Sequence, residues 1–90
     1  MTYEWDDAKS ASNVRKHGVA FEAIEEFDWS TALVVPDERF DYDEDRWFAI
    51  GMIGSRLHAV TFTMRRDRIR IISLRIAEPK ERRLYHEQKR

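Results

Sequence analysis

Three β-prone runs stand almost back to back in the second half of the chain: RWFAIGMI (46–53), RLHAVTFTM (56–64) and RIRIISLRI (68–76). Only Gly54 and Ser55 separate the first pair, a good two-residue hairpin turn, and a polar turn around Arg66 and Asp67 separates the second. The spacing predicts an antiparallel meander, and everything else has to pack on it. TYEW alternates polar and aromatic residues and reads as a short edge strand, and ALVV, ended by Pro36, reads as another.

Helices fill the rest. Asp6 or Asp7 can cap a helix through AKSASNVRKH, with Gly18 where a left-handed residue would end it. VAFEAIEEFDW places Phe21, Ile24 and Phe27 at three-residue spacing, predicting a second short amphipathic helix. The acidic DERFDYDED that follows the second short strand is read as a loop, and a last, basic helix opens at Glu78-Pro79. The expected fold is α+β, one domain over residues 1–90. A small antiparallel sheet, the meander plus short N-terminal strands, carries two N-terminal helices and one C-terminal helix.

The last strand is unusual. Arginine has a low apolar payoff and a large desolvation cost, so a strand that only filled a core would not choose it. Strict alternation puts Ile69, Ile71, Ser73 and Arg75 on one face and Arg68, Arg70, Ile72, Leu74 and Ile76 on the other, mixing apolar and charged residues on both. Either both faces are partly covered or a bulge near Ile71-Ile72 switches the phase. Without the bulge Arg75 points to a covered face and needs a partner, an acid such as Glu44 or an anionic ligand. The arginine fork suits a groove that receives phosphate.

Charge is segregated along the chain. From Glu22 to Asp45 ten acidic residues accompany the single Arg39, and from Arg46 to Arg90 twelve basic residues outnumber four acidic ones. The basic half suggests a polyanion and the acidic half a basic partner, unless the halves neutralise each other. There is no cysteine, hence neither a disulfide framework nor a thiolate metal site. No apolar run approaches a membrane span and MTYEWDDAK lacks the order of a signal peptide, so a cytoplasmic protein is expected.

His17, His58 and His86 fall on three different elements, and DYDED lacks the glycine and terminal glutamate of a calcium loop. No metal site, phosphate-binding glycine loop or nucleophile elbow is legible, and no cofactor is called for. What remains is a polar set on the meander and final helix: Arg46, His58, Arg65, Arg66, Arg75, Lys80, Arg82, Arg83 and Tyr85. A metal-free ribonuclease needs a base for the ribose 2′-hydroxyl, cations for the charge growing on phosphorus, and an acid for the leaving 5′-oxygen. Unpaired bases could stack on Trp47 or Tyr85. Each residue also has a plain structural reading. His17 sits where a cation favours a helix C-terminus, His58 is a sheet-face residue, and Arg65, Arg66 and Arg68 form a solvated turn. Trp5, Phe21, Phe27 and Phe62 are core.

YEWDDAKSASNVRKHGVAFEAI, then ERFDYDEDRWFAIGMI and RIRIISLRIAEPKERRLY, resemble in that order the BrnT family of type II toxins, relatives of the RelE-like ribonucleases. The matching positions are Lys9, Asn13, Lys16, His17 and Gly18 at the entry, Glu44 and Arg46 at the first long strand, and Arg75, Glu81, Arg82 and Tyr85 at the close. Leu74 stands where many members have alanine. The resemblance implies a RelE-like fold and a metal-independent endoribonuclease that inhibits translation. It also implies a BrnA-type ribbon-helix-helix antitoxin that neutralises the toxin and makes most of the contact with operator DNA. Arg46, Arg65 and Arg75 are then the expected phosphate ligands, and Glu44, His17 and His58 the candidates for proton transfer. Tyr85 is a stacking or acid residue, and Lys80, Arg82 and Arg83 hold the RNA backbone. The competing reading is a non-catalytic module that binds protein or RNA. A DNA-binding protein in its own right fits less well, because only the final helix offers a basic face.

Overall fold

The computed structural model describes residues 2–39 and 43–89. Strands β1 (Thr2–Glu4), β2 (Leu33–Pro36), β3 (Trp47–Ile53), β4 (Arg56–Arg65) and β5 (Arg68–Ile76) form one five-stranded sheet in the order β1-β5-β4-β3-β2. Helix α1 (Asp7–His17) follows β1, two 3-10 segments (Phe21–Glu26 and Trp29–Thr31) lead into β2, and α2 (Pro79–Gln88) closes the chain. The meander is as its turns predict: Ile53 pairs with Arg56 around Gly54, and Arg65 pairs with Arg68 around Arg66-Asp67. Part of the acidic loop, Phe40 to Tyr42, lies outside the described residues. No helix among the described residues is long and apolar enough to cross a membrane.

Two expectations are corrected. The sheet is mixed, because β1 runs parallel to β5 with Tyr3 opposite Ile69. The chain's first strand lies at the sheet edge beside its last, and α1 then carries the chain across one face. The second helix is a 3-10 segment, not an α-helix. Phe21, Ile24 and Phe27 are spaced by three, the 3-10 repeat, which stacks all three over the sheet where an α-helix would fan them out.

The sheet carries a core on each side. On one, Phe21, Ile24 and Phe27 pack with Ala49, Val60, Phe62, Ile69, Ile71 and Leu74. On the other, Ile50, Leu57 and Ala77 pack beneath Tyr85 of α2. Gly51 belongs to the first face. A Cβ there would stand 2.6 Å from Cζ of the buried Phe27 ring, so β3 has glycine where an aromatic ring lies on its backbone. Gly51→Ala is expected to destabilise the protein by about 1–3 kcal/mol, the usual cost of overpacking, as read by urea denaturation. Phe27 also meets Trp29 edge-on, Trp29 meets Phe62 in the same way, and the Trp29 indole donates to the Tyr3 hydroxyl at 2.6 Å.

The phase of β5 changes at a bulge. Phe62 pairs with Ile71 while Thr61 pairs with Ser73, so Ile72 is the additional residue. Before it Ile69 and Ile71 face the first core; after it Leu74 does, and Arg75 is turned to the α2 side opposite Ala59. Of the two arrangements compatible with the sequence, the bulged one is realised.

Helix α1 is capped by Asp6, whose carboxylate accepts from the Lys9 amide at 3.1 Å, and ended by Gly18 at φ 74°. Its buried polar residues tie it down. Ser10 accepts from the Phe21 amide at 3.0 Å, and Asn13 donates to Val19 O at 2.7 Å and to Leu74 O at 2.6 Å. Arg66 holds φ 59° at the β4–β5 turn, a left-handed conformation that costs a non-glycine side chain energy. Arg66→Gly is therefore expected to raise stability by about 0.5–1 kcal/mol in the same denaturation experiment.

Candidate functional site

The α2 side of the sheet brings the charged side chains together. By register, Val35, Phe48, Thr61 and Ser73 form one row across β2 to β5, and Leu33, Ile50, Ala59 and Arg75 form the next. Helix α2 covers the apolar end of these rows. Its first turn sends Glu81 to Arg75, whose Nη1 and Nη2 donate to the two carboxylate oxygens at 2.7 and 2.8 Å. Glu81 Oε1 also accepts from the Glu78 amide at 2.8 Å, completing a capping box that sets the helix start. Arg75 thus has an acidic partner, Glu81 and not Glu44, six residues ahead on the first turn of α2.

The pair is partly buried, with side-chain exposures of 22% for Arg75 and 16% for Glu81. The hydrogen bonds from Glu81 raise the Arg75 pKa against the opposing effect of burial, so this guanidinium stays charged at any working pH. Burial pushes the Glu81 carboxyl up, but the Arg75 hydrogen bonds, the Glu78 amide and the Arg75 charge together hold it below its ordinary value. A carboxylate whose pKa is depressed on folding contributes stability that is present above its unfolded pKa, 4.5, and is lost as pH falls through the folded value. Stability is expected to fall on acidification below about pH 4.5, and Glu81→Gln to flatten that limb, as followed by denaturation midpoints from pH 7 to 3.

Two further ion pairs lie on this side. Arg70 Nη1 reaches Glu4 Oε2 at 2.8 Å. Arg39 grips Asp37 with Nε and Nη2 at 2.8 and 2.9 Å, and its guanidinium stands 5.8 Å from the centre of the Phe48 ring. Arg39 is near enough for its charge to act on both Arg75 and Glu81. Asp37, Arg39 and Phe48 were not among the candidates from sequence. Their one available signal was Arg39 itself, the single basic residue in the acidic stretch.

The sequence candidates are dispersed. Arg75 lies on the α2 side, and alternation from Trp47 puts Arg46, partly buried, on the same side at the entry to β3. Glu44 and Arg65 share a groove at the far end of the β4–β5 hairpin with Glu4, Arg66 and Arg68. Lys80 and Arg83 are exposed on α2 and line one groove with Glu81, while Arg82 and Arg83 line another with His86. Arg82 also donates to Ala77 O at 2.9 Å. His17 is exposed in the last turn of α1, where its plain reading as a terminal cation fits. His58 pairs with Gly51 and so faces away from Arg75; it is buried, with Nδ1 3.0 Å from Arg56 O. Tyr85 is 8% exposed within the second core, which leaves no open face for a base, and Trp47 is half-buried against the first. Among the described residues no three His, Asp or Glu side chains gather as a metal would require.

A mixed sheet between two helical layers, with arginine–carboxylate pairs on one face, defines a small α+β domain. A family model for the ribonuclease toxin BrnT of type II toxin–antitoxin systems matches residues 5–81, and the chain belongs to that family. With membership come an RNA substrate and an antitoxin partner. The match takes in Asn13, Glu44, Arg46, Arg75 and Glu81 and closes before Arg82, Arg83 and Tyr85. No curated protein matches the chain.

Proposed function

We propose that this toxin inhibits translation as a metal-independent endoribonuclease of RelE-like fold, cutting RNA by attack of a ribose 2′-hydroxyl on the adjacent phosphorus. The O2′–P bond forms, the P–O5′ bond breaks, and one proton passes from the 2′-oxygen to the 5′-oxygen, leaving a 2′,3′-cyclic phosphate. The observation that carries this reading is Arg75. It is permanently charged, half-buried and held by a helix turn, the condition in which a cation stabilises a developing phosphorane most strongly.

Both terminal amino groups of Arg75 are engaged with Glu81, so phosphate meets the guanidinium through Nε or by exchange with Glu81. Arg46 joins it as a second phosphate ligand. The lowered pKa of Glu81 makes it a weak base and both its oxygens accept from Arg75, so its part is to position that guanidinium. Glu44 lies with Arg65 in the groove at the other end of the sheet, apart from Arg75, and Lys80, Arg82 and Arg83 offer the RNA backbone a basic helix face. His17 and His58, placed away from Arg75, fit structural duties better. The antitoxin is a BrnA-type ribbon-helix-helix protein that contacts operator DNA for the pair, and the toxin acts in the cytoplasm.

The test is incubation of purified protein with RNA, with and without a chelator. Fragments ending in 2′,3′-cyclic phosphate, unchanged by chelation and absent when the cleaved nucleotide is 2′-deoxy, are the expected result. Intact RNA in every condition, with tight RNA or protein binding retained, would replace the enzyme with a binding module.

A further inference from the structure

Beside the Arg75–Glu81 pair is a recess of about 210 Å³ lined by Val35, Pro36, Asp37, Glu38, Arg39, Phe48 and Glu81. Its construction is specific. Phe48 is the floor, partly exposed and fixed in the middle of the sheet by β2 and β4. Arg39 is the second wall, with a side chain 59% exposed, yet its fork is anchored on Asp37, whose side chain is 1% exposed. A planar cation is thereby held over an aromatic ring without being covered. Val35 and Pro36 close one side, and Glu81 closes the side toward Arg75.

Resting on the endoribonuclease reading above, we infer that this recess is a nucleobase subsite: one unpaired base of the RNA stacks between Phe48 and the Arg39 guanidinium, next to the phosphate held by Arg75. Aromatic faces and arginine planes are the two surfaces on which unstacked RNA bases settle. The gap fits that use. Two carbon–carbon contacts at about 3.5 Å need about 7 Å between the walls. Arg39 Cζ stands 5.8 Å from the centre of the Phe48 ring, so Arg39, the exposed member, swings outward to admit a base. Carboxylates at the rim accept hydrogen bonds and donate none, so the subsite favours base edges rich in N–H donors, with guanine, which presents adjacent donors, ahead of uracil. The subsite also assigns work to the otherwise anomalous Arg39, which the acidic stretch retains as its single cation.

The experiment measures affinity for an oligoribonucleotide carrying one 2′-deoxy nucleotide at its cleavage position, so that binding is read without turnover. Phe48→Leu keeps an apolar side chain against Ile50 and Met52 while removing the aromatic face, and Arg39→Gln removes the cationic plane. Each is expected to weaken binding about ten-fold, the lower range for one stacked base. An abasic nucleotide scanned along the oligonucleotide should reproduce the loss at one position only, and at that position Phe48→Leu should add no further loss. Equal affinity of the variants and wild type, or additive losses at every position, would overturn the subsite while leaving the ribonuclease intact. Failure of the wild type both to bind and to cut RNA would overturn the subsite together with the reading beneath it.

Discussion

Replacing Asn13 with alanine is expected to cost about 3 kcal/mol, enough to lower the midpoint of thermal unfolding by more than 10 °C in a domain of this size. The side chain is 6% exposed and belongs to a helix with a thin apolar stripe, so packing area does not explain its weight. Its hydrogen bonds do. β1 accompanies β5 only from Arg68 to Arg70, and beyond that point the outer edge of β5 has no strand beside it among the described residues. Asn13 takes the place of one: its Nδ2 donates to Leu74 O at 2.6 Å and its Oδ1 accepts from Leu74 N at 3.4 Å. The same Nδ2 fastens the chain after Gly18 through Val19 O at 2.7 Å. Alanine would leave a buried backbone amide and two buried carbonyls short of partners at once, and unmet buried groups cost more than an average hydrogen bond contributes. Asn13→Asp is the sharper comparison, because it keeps the acceptor for Leu74 N but turns the donor into a second acceptor. A midpoint for Asn13→Ala within 2 °C of wild type, where about 1 kcal/mol would already move it by 4–8 °C, would show that water replaces the amide and that α1 docks by other means.

The same residue shows why the fold was only partly legible. The meander could be read because its constraints are local: Gly54-Ser55 and Arg66-Asp67 leave too little chain for any other arrangement of three strands. The capping of α1 by Asp6 and Gly18 was local too. The phase of β5 was not, since strict alternation leaves arginine on both faces and only the bulge gathers Arg68, Arg70 and Arg75 on one. The bulge at Ile72 goes with partners outside the strand, Asn13, remote in sequence, gripping Leu74 on one side and α2 supplying Glu81 to Arg75 on the other. The parallel pairing of β1 with β5 is equally non-local, joining Tyr3 to Ile69. At the candidate site, arginine content pointed to β5, whereas the histidines drew attention by chemistry alone. His58 is adjacent in sequence to Ala59, which pairs with Arg75, and strand alternation is enough to put it on the other side of the sheet.

The largest functional effect is expected from Arg75→Ala: a loss of RNA cleavage on the order of 100- to 1000-fold, the scale set by removing one preorganised transition-state donor. Growth arrest on induced expression should disappear with it. The prediction has to be separated from a loss of fold, because truncating one member of a partly buried ion pair strands the other. Glu81, 16% exposed, would lose the partner that offsets its burial and loosen the first turn of α2. The double variant Arg75→Ala/Glu81→Ala relieves that stranded charge, so it should recover much of the stability that the single variant loses and none of the activity. Arg75→Lys divides the question differently. Lysine keeps the charge but cannot make the two parallel bonds to Glu81, so activity between wild type and alanine marks an electrostatic role, and activity as low as alanine marks a geometric one. Glu81→Gln should lower cleavage less than either, since it loosens the position of Arg75 without removing the cation. If Arg75→Ala is folded and cuts RNA as fast as wild type, the chemistry belongs to the Glu44–Arg65 groove at the other end of the sheet, and the Arg75–Glu81 pair is no more than the joint that fastens α2 to β5.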